Sequence, residues 1–182
     1  MTERHRRAGA IVWFTGLPSS GKTTLARRVQ AELERAGRAA VLLDSDELRE
    51  VLDEHSYAPG DRDRFYRALA ALAVVLARQG VVALVAATAP HRADRDRGRA
   101  ALAEEAPDAR FVEVWVATPL EVCEERDPKG LYARARRGEA RELPGVGVGY
   151  EAPESPEVMA KSGLDDAAVA AIGRRLSAES SR

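Results

Sequence analysis

Apolar and polar positions along this chain follow two periods. Residues 11–15, Ile11-Val12-Trp13-Phe14-Thr15, form an unbroken apolar, β-prone run of the kind that becomes a buried strand. Residues 39–43 and 81–85 read the same way, and 158–160 is a shorter candidate. Residues 111–116 form another strand in which Glu113 and Trp115 alternate with apolar neighbours. Between these runs the period lengthens. Over 24–33, Leu25, Val29 and Leu33 share one helical face. Residues 61–79 predict a long helix, polar at first and then almost wholly apolar, where spacing puts Phe65 and Tyr66 in the core. Pro90 and Pro119 suit the first turns of two further helices, the second carrying Val122, Cys123 and Arg126. Residues 131–137 read as a short basic helix and 165–176 as an amphipathic one. Strands alternating with helices predict an α/β fold, a doubly wound parallel sheet of about five strands with helices on both faces.

Charge narrows the function classes. The 182 residues carry 28 Lys and Arg against 29 Asp and Glu, a net charge of -1, so no general attraction to nucleic acid or to a membrane follows. The most apolar stretch, 68–89, is interrupted by Arg78, Gln79 and Gly80 and reads as helix, turn and strand, not as a membrane span. The N-terminus is charged and polar, unlike a secretory signal. The single cysteine, Cys123, excludes an internal disulfide, suits a reducing cytoplasm, and reads as a core residue. One domain is expected over 10–177, with loose tails at 1–9 and 178–182. The arginines of the basic cluster 92–99 read mostly as a solvated face. Arg92, nearest the strand end, is the one placed to meet an anion, and His91 reads as a capping or surface residue.

The chemistry is carried by Gly16-Leu17-Pro18-Ser19-Ser20-Gly21-Lys22-Thr23, which fits the phosphate-binding pattern G-x-x-x-x-G-K-[ST]. Glycines let the backbone curl until successive N–H groups point into one hollow, and the following helix turns its positive end to the anion. Lys22 supplies a cation for the β- and γ-phosphates, and the Thr23 hydroxyl is a ligand for Mg²⁺. The flanking strand and helix are the context this motif requires. Such enzymes need a carboxylate near the metal or the nucleophile. The third strand ends in Ala86-Ala87-Thr88 without one, so Asp44 and Asp46, just past the second strand, are the best-placed candidates. The plainer alternative makes one of them a helix N-cap and Arg49 a surface charge. A basic helix followed by a glycine-rich loop predicts a mobile lid over about residues 128–150, against the alternative of an ordinary surface excursion.

Taken in order, these motifs resemble the adenylyl-sulfate kinase family over roughly 10–156. Residues 16–24 look like that family's phosphate loop, with Gly16, Ser19, Ser20, Gly21, Lys22, Thr23 and Thr24 on the nucleotide side. Leu43-Asp44-Ser45-Asp46-Glu47-Leu48-Arg49 resembles its L-D-G-D-N-x-R segment, and the residues from Thr118 to Tyr132 are close to its wording throughout. The resemblance implies transfer of the ATP γ-phosphoryl group, with Mg²⁺, to the 3′-hydroxyl of adenylyl sulfate. It implies Asp46 as base beside catalytic Lys22, Arg49 and Arg62 as acceptor-site arginines, Tyr57 as an aromatic against the acceptor adenine, Lys129 as the lid lysine, and Arg126 near ATP. Asp44, Thr88, Ala89 and Arg92 fall on the acceptor side as well. The resemblance admits a homodimer, which nothing in the spacing shows.

Departures collect at the acceptor. Ala89 stands where the family has a serine, Phe65 where it has an acceptor-binding asparagine, and Leu143 where a phenylalanine clamps the acceptor adenine. Glu47 adds a negative charge beside an anionic substrate. Leu143 lacks a π-face and Phe65 lacks an amide, so weakened discrimination for adenylyl sulfate is expected unless Phe65 offers a substitute stacking face. Two other readings stay open: a kinase of the same fold with a different hydroxyl acceptor, and a nucleotide-binding regulator with little turnover. Retention of Lys22, Thr23 and Asp46 speaks against the second.

Overall fold

The computed structural model describes residues 8–140 and 142–177, and most of both expected tails lies outside them. Five strands form one parallel sheet: β1 (Ala10–Thr15), β2 (Ala40–Asp44), β3 (Val82–Ala86), β4 (Arg110–Val116) and β5 (Val158–Ala160), in the spatial order β2-β3-β1-β4-β5. The central strand β1 is buried at every position, as its unbroken apolar run requires.

Helices cover both faces. On one, Leu25, Val29 and Leu33 of α1 (Lys22–Arg35) and Ile172 and Leu176 of α7 (Asp166–Ser177) pack on Val12, Phe14 and Leu84. On the other, α3 (Pro59–Arg78) and α4 (Arg92–Glu105) pack on Ile11, Trp13 and Val85, with Phe65 and Tyr66 in that core as expected. A short helix, α2 (Ser45–Val51), follows β2 directly. A third, smaller cluster of Cys123, Tyr132 and Leu143 ties α5 (Leu120–Arg126) and α6 (Leu131–Arg136) to the loop after β1. The chain leaves β1 through α1 toward β2 and leaves β3 through α4 toward β4, in opposite directions and over opposite faces, and the crevice at that switch point, outside the carboxyl ends of β1 and β3, is where such sheets hold ligands.

The structure revises several sequence-based expectations. Gly9, assigned to a loose tail, is buried. A Cβ there would lie 2.0 Å from the Ala77 carbonyl oxygen, and its own carbonyl accepts from the Arg110 amide. Pro90 does not open α4; the helix begins at Arg92, with His91 at the N-cap position. The arginines of α4 are not all solvated. Arg95 is 1% exposed: its Nε donates to Glu113 Oε1, its Nη1 to the Ala89 carbonyl and its Nη2 to the Glu151 carbonyl, each at 2.7 Å. Periodicity gives the face of a residue but not its partner, and Glu113 on the neighbouring strand is what draws this guanidinium inward.

Removing one member of a buried ion pair leaves the other charged and unpaired, a loss of about 3–5 kcal/mol. Arg95→Met is therefore expected to lower the urea midpoint by that equivalent. Arg95→Met with Glu113→Leu should recover part of it, the remainder reflecting the two lost carbonyl partners; equilibrium unfolding of both variants checks this.

Candidate active site

The site forms where β1 and β2 end. After Thr15 the backbone turns sharply at Gly16, where a Cβ would lie 2.6 Å from the Val116 carbonyl oxygen. Ser19 and Gly21 adopt left-handed conformations (φ 61° and 100°) and complete the curl into α1. Two side chains brace the curl from outside: Thr118 Oγ1 donates to the Ser20 carbonyl at 2.8 Å, and Tyr132 OH to the Pro18 carbonyl at 2.9 Å. The role of Tyr132 was not visible in the sequence, where it is simply the second residue of a basic helix. From behind, Gly163 sits so close that a Cβ there would lie 2.6 Å from the Gly21 carbonyl oxygen.

The hollow suits phosphate. Ser20 Oγ is buried beneath it without a hydrogen-bond partner among the described residues. Lys22 Nζ donates to the carbonyls of Gly16 (3.0 Å) and Leu17 (2.8 Å), so the loop holds its own cation. Burial lowers the Lys22 pKa from 10.5 to about 8, against the opposing charges of Asp46 and Asp44.

Asp44 does two things at once. As N-cap of α2, its Oδ1 accepts from the amides of Asp46 (2.9 Å) and Glu47 (3.4 Å); its Oδ2 accepts from Thr23 Oγ1 at 2.5 Å. The capping role and the site role are therefore compatible. Thr23 and Asp44 present hard oxygens side by side, which fits Mg²⁺. Among the described residues no cluster of three His, Cys, Asp or Glu could hold a metal alone, so such an ion would take most of its ligands from nucleotide phosphates and water. Asp46 is exposed, and its Oδ2 accepts from Lys129 Nζ at 2.8 Å, a pair that raises the Lys129 pKa.

These groups wall a cavity of about 830 Å³. Ser19, Gly21 and Thr24 line it with Lys22 and Thr23 at the phosphate end. Asp44, Asp46, Arg49, Tyr57 and Arg62 line the opposite part, with Thr88 between them at the end of β3. From the end of α5 and the segment after it come Arg126, Lys129 and Leu143. Arg62 is buried, and its Nη2 donates to the Glu142 carbonyl at 3.2 Å; Glu142 had not been singled out, because a glutamate in a loop gives no periodic signal. Arg49 is also buried, which excludes the surface-charge alternative.

Five expected site residues lie outside the wall: Gly16, Ser20, Ala89, Arg92 and Phe65. Gly16 and Ser20 form the floor beneath the loop. Ala89 is fully buried at φ 39°, its amide donating to Tyr66 OH at 3.1 Å and its carbonyl accepting from Arg95. Arg92 turns away from the cavity: its Nη1 donates to Glu154 Oε1 at 2.5 Å and its amide to Glu151 Oε2 at 2.7 Å, so two carboxylates claim it before any ligand can. Phe65 is 5% exposed and lies beneath the Arg49 guanidinium, 3.9 Å from ring centroid to Cζ. It has no face to offer a base, and the substitute-clamp expectation is corrected accordingly. Leu143 is largely sunk into the cluster with Cys123 and Tyr132.

The comparisons with known proteins agree with this geometry. A family model described as Adenylylsulphate kinase matches residues 8–161. An adenylyl-sulfate kinase of Citrobacter koseri is 44% identical over 155 residues, 85% of this chain and 75% of that protein. One from Escherichia coli O1:K1 is 41% identical over 157 residues, 86% and 76% of the two chains. The solved Mycobacterium tuberculosis APS kinase CysC in complex with AMPPNP and APS superimposes with a TM-score of 0.79 at 39% identity, covering 84% of this chain and 88% of that one. A hexameric APS kinase from Thiobacillus denitrificans gives 0.66 at 30% identity, covering 94% of this chain and 29% of that one. The chain belongs to the adenylyl-sulfate kinase family.

Proposed function

We propose that this protein transfers the γ-phosphoryl group of ATP to the ribose 3′-hydroxyl of adenylyl sulfate, giving 3′-phosphoadenylyl sulfate and ADP. The supporting observation is one cavity with a phosphate hollow at one end, two buried arginines at the other, and the Asp46 carboxylate in its wall. Its volume of about 830 Å³ is of the size that takes drug-sized ligands.

In this reading the hydroxyl oxygen attacks the γ-phosphorus, its proton passes to Asp46, and the bond from that phosphorus to the ADP oxygen breaks. Lys22 and the loop amides stabilise charge on the transferring group, and bound Mg²⁺, held beside Thr23 and Asp44, would neutralise charge on the phosphates. Lys129 Nζ donates to Asp46 Oδ2, so in this reading the proton passes to the other carboxylate oxygen, Oδ1. Ala89 has no hydroxyl, so no phosphoenzyme forms there and transfer is direct.

A second reading, a kinase with another hydroxyl acceptor, draws on the burial of Phe65 and Leu143, which leaves Tyr57 as the exposed aromatic on the acceptor side. A homodimer in the cytoplasm completes the first reading. The exposed Leu72 and Val75 on α3 support self-association, and the buried thiol of Cys123 supports a reducing setting. Sedimentation of the purified protein tests the dimer.

A coupled ADP-release assay with adenylyl sulfate and a panel of other nucleotide hydroxyl acceptors separates the two readings. Turnover with adenylyl sulfate above that with every other acceptor is expected, with reduced discrimination; turnover only with another acceptor would transfer the conclusion to the second.

Asp46→Asn keeps the size of the side chain and loses its charge. Turnover should fall by about a hundredfold or more, within the range general-base catalysis supplies, with ATP binding retained. Loss of ATP binding with rate retained at saturating ATP would make Asp46 a metal-shell residue instead.

The lowered Lys22 pKa gives a pH prediction. Polyphosphate in the hollow favours the charged ammonium and raises that pKa, so nucleotide binding should take up a proton above pH 8, where free Lys22 is increasingly neutral. Nucleotide affinity is then level below about pH 8 and falls as pH rises beyond it. Calorimetry in buffers of different ionisation enthalpy reads the uptake, which Lys22→Arg should abolish. Lys22→Ala should lower turnover by about a hundredfold or more, the loss expected when one transition-state donor is removed.

A further inference from the structure

We propose that Phe65 is a positioning residue for acceptor binding: it holds the Arg49 guanidinium in an aromatic sandwich that leaves one edge of the fork free for an oxyanion of the acceptor nucleotide. The proposal rests on the kinase reading above.

Arg49 lies in the last turn of α2, where the helix C-terminus favours a cation. Its Cζ is 3.9 Å from the centroid of the Phe65 ring and 4.5 Å from that of Tyr57, so the planar cation is stacked between two π-faces. Phe65 is 5% exposed and anchored in the core on α3, with Tyr66 packed edge-on at 5.7 Å. Tyr57 is 50% exposed and closes the sandwich from the cavity side. The two ends of the fork differ. Nη1 donates to the carbonyls of Glu54 (3.4 Å) and Ser56 (3.1 Å). Nη2 is buried and has no hydrogen-bond partner among the described residues, although Arg49 is 5% exposed and forms part of the cavity wall.

A buried charged donor without a partner is costly. Arg49 forms part of the cavity wall, so the partner assigned to Nη2 is an acceptor phosphate or sulfate oxygen, the strongest kind for a guanidinium N–H. The orientation of that donor is fixed by the plane of the sandwich, and Phe65 is its inner, immobile wall. An asparagine, the residue the resemblance puts at this position, has no ring face for the guanidinium. In this chain the acceptor thus loses an amide contact and meets a more rigidly held arginine.

The test is Phe65→Leu, which keeps apolar bulk and removes the ring. KM for adenylyl sulfate should rise about tenfold, within what a desolvated cation–π contact supplies, while kcat and KM for ATP stay close to those of the unmodified protein and the melting temperature falls only by the few degrees a smaller core side chain costs. Phe65→Tyr should restore the acceptor KM. In an Arg49→Lys background Phe65→Leu should add nothing, because the effect passes through the guanidinium. Independently of any acceptor, the Arg49 Nε–H resonance, assigned by its disappearance in Arg49→Lys, should lie upfield from ring currents and move downfield in Phe65→Leu.

An unchanged acceptor KM in Phe65→Leu, additive effects in the Arg49→Lys background, or a parallel loss of kcat, both KM values and melting temperature would each overturn the proposal, the last leaving Phe65 as core packing alone. If the unmodified protein does not phosphorylate adenylyl sulfate, the kinase reading falls by itself. The resonance then decides whether Phe65 holds Arg49, and an unmoved resonance overturns it.

Discussion

A charge removed from water organises the side of the sheet that carries α3 and α4. Arg95 is almost wholly desolvated, and a guanidinium in that state persists only when its donors are met. Its three donors draw together Glu113 on β4, Ala89 just beyond β3, and Glu151 in the segment that precedes β5. The position of Ala89 fixes the backbone beside Thr88, whose carbonyl accepts from Thr15 Oγ1 at 2.7 Å at the start of the phosphate loop. Arg99 extends the network to Glu157, whose Oε2 also accepts from the Glu113 amide. The far end of the cavity thus inherits its geometry from a charge that touches no ligand.

The phosphate loop meets the opposite problem. It is built to hold anions, so in their absence its cation and its donors have to be met from within. Lys22 donates to the loop's own carbonyls, and Thr23 is held by Asp44. Both contacts involve groups that the phosphates and their metal ion would claim in the proposed reaction. The low cost of exchanging one set of partners for the other is what allows a preformed hollow to bind without rebuilding itself.

Much of this was legible in the chain, for identifiable reasons. Strands buried on both faces announce themselves as unbroken apolar runs, so β1, β2 and β3 were found to within a residue or so. The phosphate loop was found because its backbone path demands particular residues in a fixed order. Asp44 and Asp46 were found because a strand end is a place with a known use. Partners chosen across space were not legible. Nothing in the spacing of Arg92 and Arg95 says that one meets Glu154 at the surface while the other sinks to Glu113. Phe65 was recognised as core, but its contact with Arg49 depends on how α2 and α3 sit together, which no single helix encodes. Tyr132 donates to the distant Pro18 carbonyl, and the Glu142 carbonyl accepts from the distant Arg62 side chain; such bonds leave no periodic trace.

The contact between Gly21 and Gly163 bears on the order in which the molecule is made. The loop is synthesised well before the backbone behind it, which belongs to the turn between β5 and α7. Thr118 repeats the arrangement, its hydroxyl donating to the carbonyls of Ser20 and Lys161. Closing so long a loop carries an entropic cost that local helix formation does not. A nascent chain lacking its last two elements can therefore carry the complete nucleotide-binding motif in its sequence and still lack the surface that holds it in shape. The shape of the nucleotide loop thus depends on β5 and α7 being docked behind it.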